Sequence, residues 1–401
     1  RVLPFRIANL LEHHVPPYRI LAITFTNKAA REMRDRVDTL IGEAARDVWL
    51  STFHSFCARF LRMEIEHLGT YAKNFVIYDA SDSKNLIREC LKELNIDEKH
   101  TAPGAVQSHI SDAKNRLLDV KAFTSEASDF FAEQVAKVYE LYQSKLRVNN
   151  ALDFDDLLML TVELLSNNEE IRTKYQKKFQ YILVDEYQDT NGAQYAITKL
   201  LAAGHRNICV VGDADQSIYG WRGADMRNIL NFERDYPDAT VILLEQNYRS
   251  TKNILAAANA VIENNLTRKK KDLWTDNPTG DPIIVYEGST EKNEAAFIVR
   301  EVERLHTMFN MKYGDIAVLY RTNAQSRNIE EAFYATGIPY AMVGSVRFYD
   351  RREIRDIIAY LRVIYNPRDT LSLLRIINVP KRGIGASTIA KLTEYAAMRE
   401  E

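Results

Sequence analysis

Tyr181-Ile182-Leu183-Val184-Asp185-Glu186-Tyr187-Gln188-Asp189-Thr190 is a short apolar run that ends in two adjacent carboxylates. Four apolar residues bounded by charge predict a strand of a parallel sheet, buried on both faces. Open α/β sheets bind ligands outside the carboxyl ends of their strands, and Asp185 and Glu186 fall at that end. Such a pair suits nucleotide hydrolysis: the first carboxylate holds Mg²⁺ on the phosphates and the second orients and polarises the attacking water. A bare Asp-Glu is more often a solvated strand end, so the weight rests on what surrounds it.

Outward from this strand the chain keeps an α/β rhythm. Ile20-Leu21-Ala22-Ile23-Thr24-Phe25 predicts a buried strand, followed by a helix with Ala30, Met33, Val37, Leu40 and Ile41 on one face and Gly42 at its end. Val48-Trp49-Leu50-Ser51-Thr52-Phe53 predicts a second strand leading into His54-Ser55 and another helix. From about 56 to 177 strand signals almost vanish and helical periodicity takes over, as in Phe131, Val135, Val138, Tyr139 and Tyr142. Strand-like runs resume at 181–184, 208–211 and 241–244, so the pattern is an α/β layer interrupted by a helical insertion. The polar stretch from Thr267 through Arg268-Lys269-Lys270-Lys271 to Pro282 reads as a linker, its basic run solvated rather than bound to DNA. A second α/β pattern follows, with strands at 283–286 and 316–320, and the last fifty residues turn helical.

The bulk numbers exclude several classes. At 401 residues the chain accommodates two or three domains, and 46% apolar with 27% charged residues is ordinary for a globular protein. A net charge of −2 makes any nucleic-acid surface a local patch. Cys57, Cys90 and Cys209 are too few and too scattered for a disulfide framework or a zinc cluster and fit a reducing cytoplasm. The eight histidines lack metal-ligand spacing, so the only metal expected is Mg²⁺ on a nucleotide. No apolar run is long enough to span a membrane, and Arg1 in place of Met marks the chain as a piece of a longer protein.

Two further constellations sit at strand ends. Gly212-Asp213-Ala214-Asp215-Gln216-Ser217-Ile218-Tyr219-Gly220-Trp221-Arg222-Gly223 follows the 208–211 run. Gln216 there can reach a terminal phosphate. Tyr219 and Trp221, two apart, point the same way in an extended segment and make a platform for unstacked bases, worth about 1–3 kcal/mol per base. Leu244-Glu245-Gln246-Asn247-Tyr248-Arg249-Ser250 offers a guanidinium to a transferring phosphoryl group and an aromatic ring to an adenine. Each of these residues, alone, has a plain structural alternative: a core ring for Tyr219 or Trp221, an ion pair for Arg249.

These three blocks, in this order, with Thr24-Phe25-Thr26-Asn27-Lys28-Ala29-Ala30-Arg31-Glu32-Met33 and Ser51-Thr52-Phe53-His54-Ser55 ahead of them, resemble the UvrD/Rep/PcrA family of superfamily 1 DNA helicases. Tyr320-Arg321-Thr322-Asn323-Ala324-Gln325-Ser326-Arg327, Phe348-Tyr349-Asp350-Arg351-Arg352-Glu353-Ile354 and Asn378-Val379-Pro380-Lys381-Arg382-Gly383-Ile384-Gly385 extend the likeness, looking closest to the PcrA branch. The resemblance implies RecA-like P-loop NTPase motor domains of the α/β class carrying mostly helical inserted domains. It divides the chain into 1–56 with 178–250 (first motor domain), 57–177 (helical insertion), 251–345 (first part of a second motor domain) and 346–401 (start of a helical accessory domain).

Implied with the fold is an ATP-dependent 3′→5′ DNA helicase or single-stranded DNA translocase of repair or replication. ATP and Mg²⁺ are its cofactors, and single-stranded DNA, its junctions with duplex and repair or replication proteins are its partners, in the cytoplasm and off the membrane. Asp185 would hold Mg²⁺ and Glu186 would act as base. Gln216 and Arg249 would contact the γ-phosphate, and Tyr248 would stack on the adenine. Phe25, Thr52, His54, Tyr219, Trp221 and Arg222 match positions lining the DNA track on the first motor domain. Phe154, in Leu152-Asp153-Phe154-Asp155-Asp156, matches a base contact from the insertion, and Arg321 and Asn323 match strand contacts on the second motor domain. Opening and closing of the ATP site would ratchet bases past the Tyr219/Trp221 platform.

The sequence departs from the family pattern in several places. None of the 15 glycines is followed by lysine, so no phosphate-binding loop occurs in these residues. The resemblance places that loop immediately before Arg1 and two further motifs after residue 401. The 401 residues alone are therefore expected neither to hydrolyse ATP nor to unwind DNA. Pro4 falls where the family has a helix interior, a position that costs about 3 kcal/mol. Gly383-Ile384-Gly385 reads equally as a hairpin holding a duplex phosphate and as a plain turn between helices. Two rival readings stand beside the helicase: the motor part of an AddA- or RecB-like nuclease, and a non-catalytic module that binds single-stranded DNA.

Overall fold

The computed structural model describes residues 2–42, 46–265, 271–343 and 351–399. They form two compact units, one running to Ile242 and resuming at Arg355, the other from Leu243 to Ile354. Among the described residues there are six strands: β1 (Ile20–Thr24), β2 (Trp49–Thr52), β3 (Val76–Ile77), β4 (Ala151–Leu152), β5 (Tyr181–Val184) and β6 (Ile208–Val210).

The first unit is built on a four-stranded sheet ordered β2-β1-β5-β6, every neighbouring pair parallel. Its strands are largely apolar because both faces are covered, as expected for parallel sheets, and Thr24, Ser51 and Thr52 fall at their carboxyl ends. Leu21 and Ile23 of β1, with Ile182 and Val184 of β5, enter one core, shared with the helices Phe53–Glu64, Phe154–Asn167 and Gly192–Ala202. Ile20, Ala22 and Leu183 point the other way, into a core with the helices Val2–Glu12 and Asn27–Ile41. The period of two thus sorts each strand between two helical layers. In the helix Asn27–Ile41 the expected face is buried at Ala30, Met33 and Val37, while Leu40 is exposed. Gly42 (φ 69°) ends this helix as expected. Pro4 lies buried within the helix Val2–Glu12.

The segment expected to be helical is so, apart from the short parallel pair β3–β4. It has a core of its own, including Leu86, Leu91, Ile110, Val135, Val138, Tyr139 and Tyr142. Its last long helix, Phe154–Asn167, belongs to the core of the large sheet instead, so insertion and α/β layer are one packed body. A buried ion cluster holds this junction. Lys114, fully buried, donates to Asp153 Oδ2 and Asp156 Oδ1, each at 2.7 Å. Burial opposes its charge, but the two carboxylates outweigh that and raise the Lys114 pKa. The helices that follow Arg355 pack on the insertion: Arg355 and Arg362 donate to the two oxygens of Asp82 at 2.8 and 2.7 Å, and Tyr78 Oη donates to buried Asp369 at 2.6 Å.

The second unit departs from expectation. Helices Lys252–Ile262, Glu291–Phe309 and Asn323–Thr336 form, and the last two share a small core of Val299, Val302, Phe333 and Ile338. The strands expected at 241–244, 283–286 and 316–320 do not form. A strand persists only where its backbone groups meet a ladder partner. Here the described pairing amounts to one isolated bridge, Gln246 to Trp274, and Ile242, Leu244, Ile284, Val285 and Leu319 stay exposed. The linker reading of 267–282 also changes. Residues 274–281 are tied to the stretch 245–253 by Asn247 N to Trp274 O (2.7 Å), Asn253 N to Thr279 O (3.0 Å) and Asn277 Nδ2 to Ser250 O (3.0 Å). Arg268, Lys269, Lys270, Phe348, Tyr349 and Asp350 lie outside the described residues.

Replacing Lys114 by Met strands two buried carboxylates and is expected to cost about 3–5 kcal/mol of stability. Urea unfolding would register this as a lower midpoint at unchanged slope. Adding Asp153→Asn and Asp156→Asn to the same protein should restore a good part of the loss.

Candidate nucleotide and nucleic-acid interface

Strands β1, β2, β5 and β6 run in one direction, so their carboxyl ends gather the polar residues that both buried faces exclude. Asp185 follows β5 directly, and its N–H donates to Ile23 O at 2.9 Å, which locks it to the neighbouring strand. Its carboxyl is half-buried, and burial first and the Glu186 charge second raise its pKa. Glu186 is exposed and adopts φ 51°, ψ 45°, a left-handed conformation that a residue with a side chain occupies at a cost of about 1–3 kcal/mol. The turn throws its carboxylate clear of the strand. Asp189, buried one turn on, is pushed up to about 6 by burial and by Glu186, and its Oδ1 has no hydrogen-bond partner.

Gln188 connects this tip to the next loop. Its Nε2 donates to Glu186 Oε2 at 2.8 Å, while its Oε1 accepts from Asp213 N at 2.9 Å. Asp213 Oδ2 in turn accepts from Gln216 Nε2 at 2.8 Å. An unbroken chain of hydrogen bonds therefore joins Glu186 to Gln216. Gly212 lies where Gln188 crosses the loop; a Cβ there would sit 2.5 Å from Gln188 Oε1, so a larger residue would break the chain. Gln188 and Asp213 fall inside the motifs that the sequence singles out, yet sequence reasoning assigns them no role. An amide two residues beyond a catalytic-type carboxylate is the one local signal, and the partner it meets is visible only in three dimensions.

A row of aromatic rings runs beside this chain. The Phe25 ring lies 5.0 Å from that of Tyr219, and Tyr219 lies 6.3 Å from Trp221. Trp221 is 67% exposed. The platform expected from an extended segment is made differently: Gly220–Arg222 is a 3₁₀ turn, and the turn rather than a pleat brings the two rings to one side. Thr52, expected on the track, is buried. Its Oγ1 caps the helix Phe53–Glu64 by accepting from Ser55 N, which leaves it a structural task as well. His54 follows in that helix and meets the Phe154 ring edge-on at 5.9 Å. Burial lowers the His54 pKa, so the ring is uncharged near neutral pH. Phe154 is the exposed first residue of its helix, held by the Asp153/Asp156 capping box. The side chain of Arg222 lies outside the described residues.

The second unit holds the remaining candidates, and each is described within it. Asn247 Oδ1 accepts from the N–H groups of Arg249 and Ser250 (3.0 and 2.8 Å), a turn that leaves the Arg249 side chain exposed. Tyr248 is 68% exposed, with its hydroxyl on Gln246 Oε1 at 2.6 Å. Arg321 and Asn323 flank the start of the helix Asn323–Thr336, where Gln325 Oε1 accepts from Arg321 N at 2.9 Å and Thr322 N at 2.9 Å. Both are exposed.

Residues 1–237 match the model of the UvrD/REP helicase N-terminal domain, and residues 242–399 match that of the UvrD-like helicase C-terminal domain. The chain is 55% identical over 397 residues to a Staphylococcus aureus protein named ATP-dependent DNA helicase PcrA, and 56% identical over 397 residues to its Staphylococcus epidermidis namesake. Each alignment takes in 99% of this chain and 54% of the relative, so the chain spans about half the length of the curated relatives it matches.

Two outcomes follow from the local chemistry. Because Glu186 is left-handed, Glu186→Gly should unfold at higher denaturant than Glu186→Ala, by about 1 kcal/mol, whereas glycine is the worse residue at ordinary positions. Asp155 is pushed up to about 7 by burial and then by the Asp153 charge. The folded state therefore binds this proton more tightly than the unfolded chain, and stability falls as pH rises from the ordinary carboxylate range to about 7. Melting curves of Asp155→Asn should coincide with wild type near the acid end of that window and lie above it on the alkaline side.

Proposed function

The chain belongs to the UvrD/REP helicase family, and on that premise we propose that it is the greater part of the motor of an ATP-driven 3′→5′ single-stranded DNA translocase and helicase. The observation that carries the reading is the hydrogen-bonded chain Glu186–Gln188–Asp213–Gln216 beside the Phe25–Tyr219–Trp221 rings. Gln216, suited to a phosphate, and Tyr219 and Trp221, suited to a base, stand on the same loop after β6. A change at one is thereby felt at the other.

The residues present suit a divalent cation. Among the described residues no group of three or more His, Cys, Asp or Glu side chains could hold a metal ion by itself, so the fit is that of one half-buried carboxylate, Asp185, sharing an ion with phosphates, while Asp189 keeps an unpartnered oxygen. Mg²⁺ is held by one or two carboxylates together with nucleotide phosphates, and Asp185 is the residue that would take it. Bound there, the ion would neutralise charge on the phosphates. Glu186, thrown clear of the strand by its left-handed backbone, accepts the proton of the attacking water. Gln188 keeps that carboxylate from swinging, and Gln216 reports the terminal phosphate. Within the second unit, Arg249 is the proposed phosphate-contacting guanidinium and Tyr248 the proposed adenine-stacking ring, both presented by the turn at Asn247.

On the DNA side, exposed Trp221 with Tyr219 and Phe25 offers π faces to successive bases, which accept any sequence. His54 and Phe154 form a second pair, and neutral His54 favours a base over a phosphate. Arg222, Arg321 and Asn323 supply backbone contacts, and Thr52 sets the helix that carries His54. The four-part division at 56, 177, 250 and 345 is retained as part of this proposal, with a cytoplasmic setting and repair or replication proteins as partners. Among the described residues no helix is long and apolar enough to cross a membrane.

ATP hydrolysis by the full-length gene product, with and without single-stranded DNA, tests the reading. Hydrolysis stimulated by DNA and lowered about 10²-fold or more in Glu186→Gln supports it. Absence of hydrolysis in the wild-type protein, with single-strand binding retained, would favour the non-catalytic binding module.

A further inference from the structure

One corner of the insertion touches both halves of the first unit's chemistry. The helix Pro103–Asn115 ends in Lys114 and Asn115, adjacent residues that are both buried. Lys114 binds Asp153 and Asp156, the two residues that cap the helix Phe154–Asn167. The cap is reciprocal, Asp156 N donating to Asp153 Oδ1 at 2.8 Å and Asp153 N to Asp156 Oδ2 at 3.1 Å. Tyr142 Oη adds a bond to Asp153 Oδ2 at 2.9 Å and Gln143 Nε2 one to Asp156 Oδ1 at 3.1 Å. Lys114 therefore fixes where Phe154 stands against His54.

Asn115 faces the other way. Its Oδ1 accepts from Asn191 Nδ2 at 2.5 Å, and Asn191 is the residue that caps the helix Gly192–Ala202 immediately after the Asp185–Thr190 stretch. The Asn115 carbonyl oxygen lies so close to Gly192 that a Cβ there would come within 3.0 Å. Gly223, which ends the turn holding Trp221, packs on the Asn115 side chain at 3.4 Å from where its Cβ would be. A turn further along, Thr190 is tied to the segment after Trp221, its carbonyl accepting from Asp225 N and Asn228 Nδ2, both at 2.9 Å.

We propose that Lys114 and Asn115 are positioning residues that couple the loop carrying Asp185 and Glu186 to the base-facing Phe154. The inference rests on the translocase reading above and names a route within it. Two adjacent residues on one helix end cannot move independently. A shift of the Asn191 cap reaches Asn115, then Lys114, then the capping box beneath Phe154. Close packing of Gly192 against the Asn115 carbonyl leaves little slack to absorb it. The insertion thus takes part in stepping instead of only lining the track.

The test uses the full-length protein and the variants Asn115→Ala, Asn191→Ala and their combination. Three quantities are read: melting temperature, affinity for single-stranded DNA containing 2-aminopurine, and the fluorescence change of that DNA when a non-hydrolysable ATP analogue is added. The single variants should melt as folded proteins and bind DNA within about threefold of wild type, while the analogue-induced change falls about fivefold or more. The combined variant should be no worse than either, as for two partners of one bond. An unchanged response in both single variants overturns the proposal. Equal proportional loss of binding and response assigns the corner to packing alone and overturns it too. Should Asn115→Ala not fold, Asn191→Ala breaks the same bond and decides the matter. A wild-type protein that binds DNA without responding to the analogue would instead sink the translocase reading, a result separable from failure of the corner.

Discussion

A parallel strand covered on both faces can meet solvent only at its ends, and this constraint organises the first unit. Leu21 and Ile23 enter one core while Ile20 and Ala22 enter the other, so a polar side chain along β1 needs a partner inside the fold, as buried Thr24 has at the strand's end by donating to Thr26 O at 3.1 Å. Chemistry is thereby concentrated at the carboxyl tips. There Asp185, Glu186, Thr52 and the loop after β6 come together from positions more than a hundred residues apart. The left-handed backbone at Glu186 is the strain this crowding imposes. The packed sheet beneath holds a conformation that an isolated peptide would leave.

The second organising interaction is the Lys114 cluster. A charge with no exposure is tolerable only when fully paired, and Asp153 and Asp156 supply that pairing while also capping a helix. An apolar cluster would hold the same helices at least as firmly. What the ions add is register: the carboxylates accept Lys114 in one geometry, and that geometry places Phe154. The clamp of Arg355 and Arg362 on Asp82 uses the same device between the insertion and the helices that follow Arg355.

The second unit shows the converse of a completed sheet. The apolar runs at 283–286 and 316–320, like that at 241–244, have strand composition but no ladder; Ile284, Val285 and Leu319 remain in water, while Ile316 and Val318 are only partly covered by the small core. Leaving a large aliphatic side chain exposed forgoes about 1.5–3 kcal/mol each. Helix formation needs only bonds within the segment, so Glu291–Phe309 and Asn323–Thr336 are in place where the strands are not. The turn presenting Arg249 survives for the same reason, since Asn247 supplies its hydrogen bonds from two residues away.

Features written in local sequence are legible from the sequence alone. The strand ending at Asp185-Glu186, the helix closed by Gly42, the helical insertion and the aromatic pair at Tyr219 and Trp221 all rest on periodicity or on neighbours a few residues apart. The family resemblance is carried by the same short blocks. Tertiary structure decided what depends on a distant partner. It set the hydrogen-bonded route from Glu186 through Gln188 and Asp213 to Gln216, and the turn rather than a pleat that joins the rings. The pairing of Lys114 with Asp153 and Asp156, and the strands of the second unit that did not form, belong to the same class. A side chain's propensity is its own, but a hydrogen bond, an ion pair or a ladder needs a second group, and only the folded chain says where that group is.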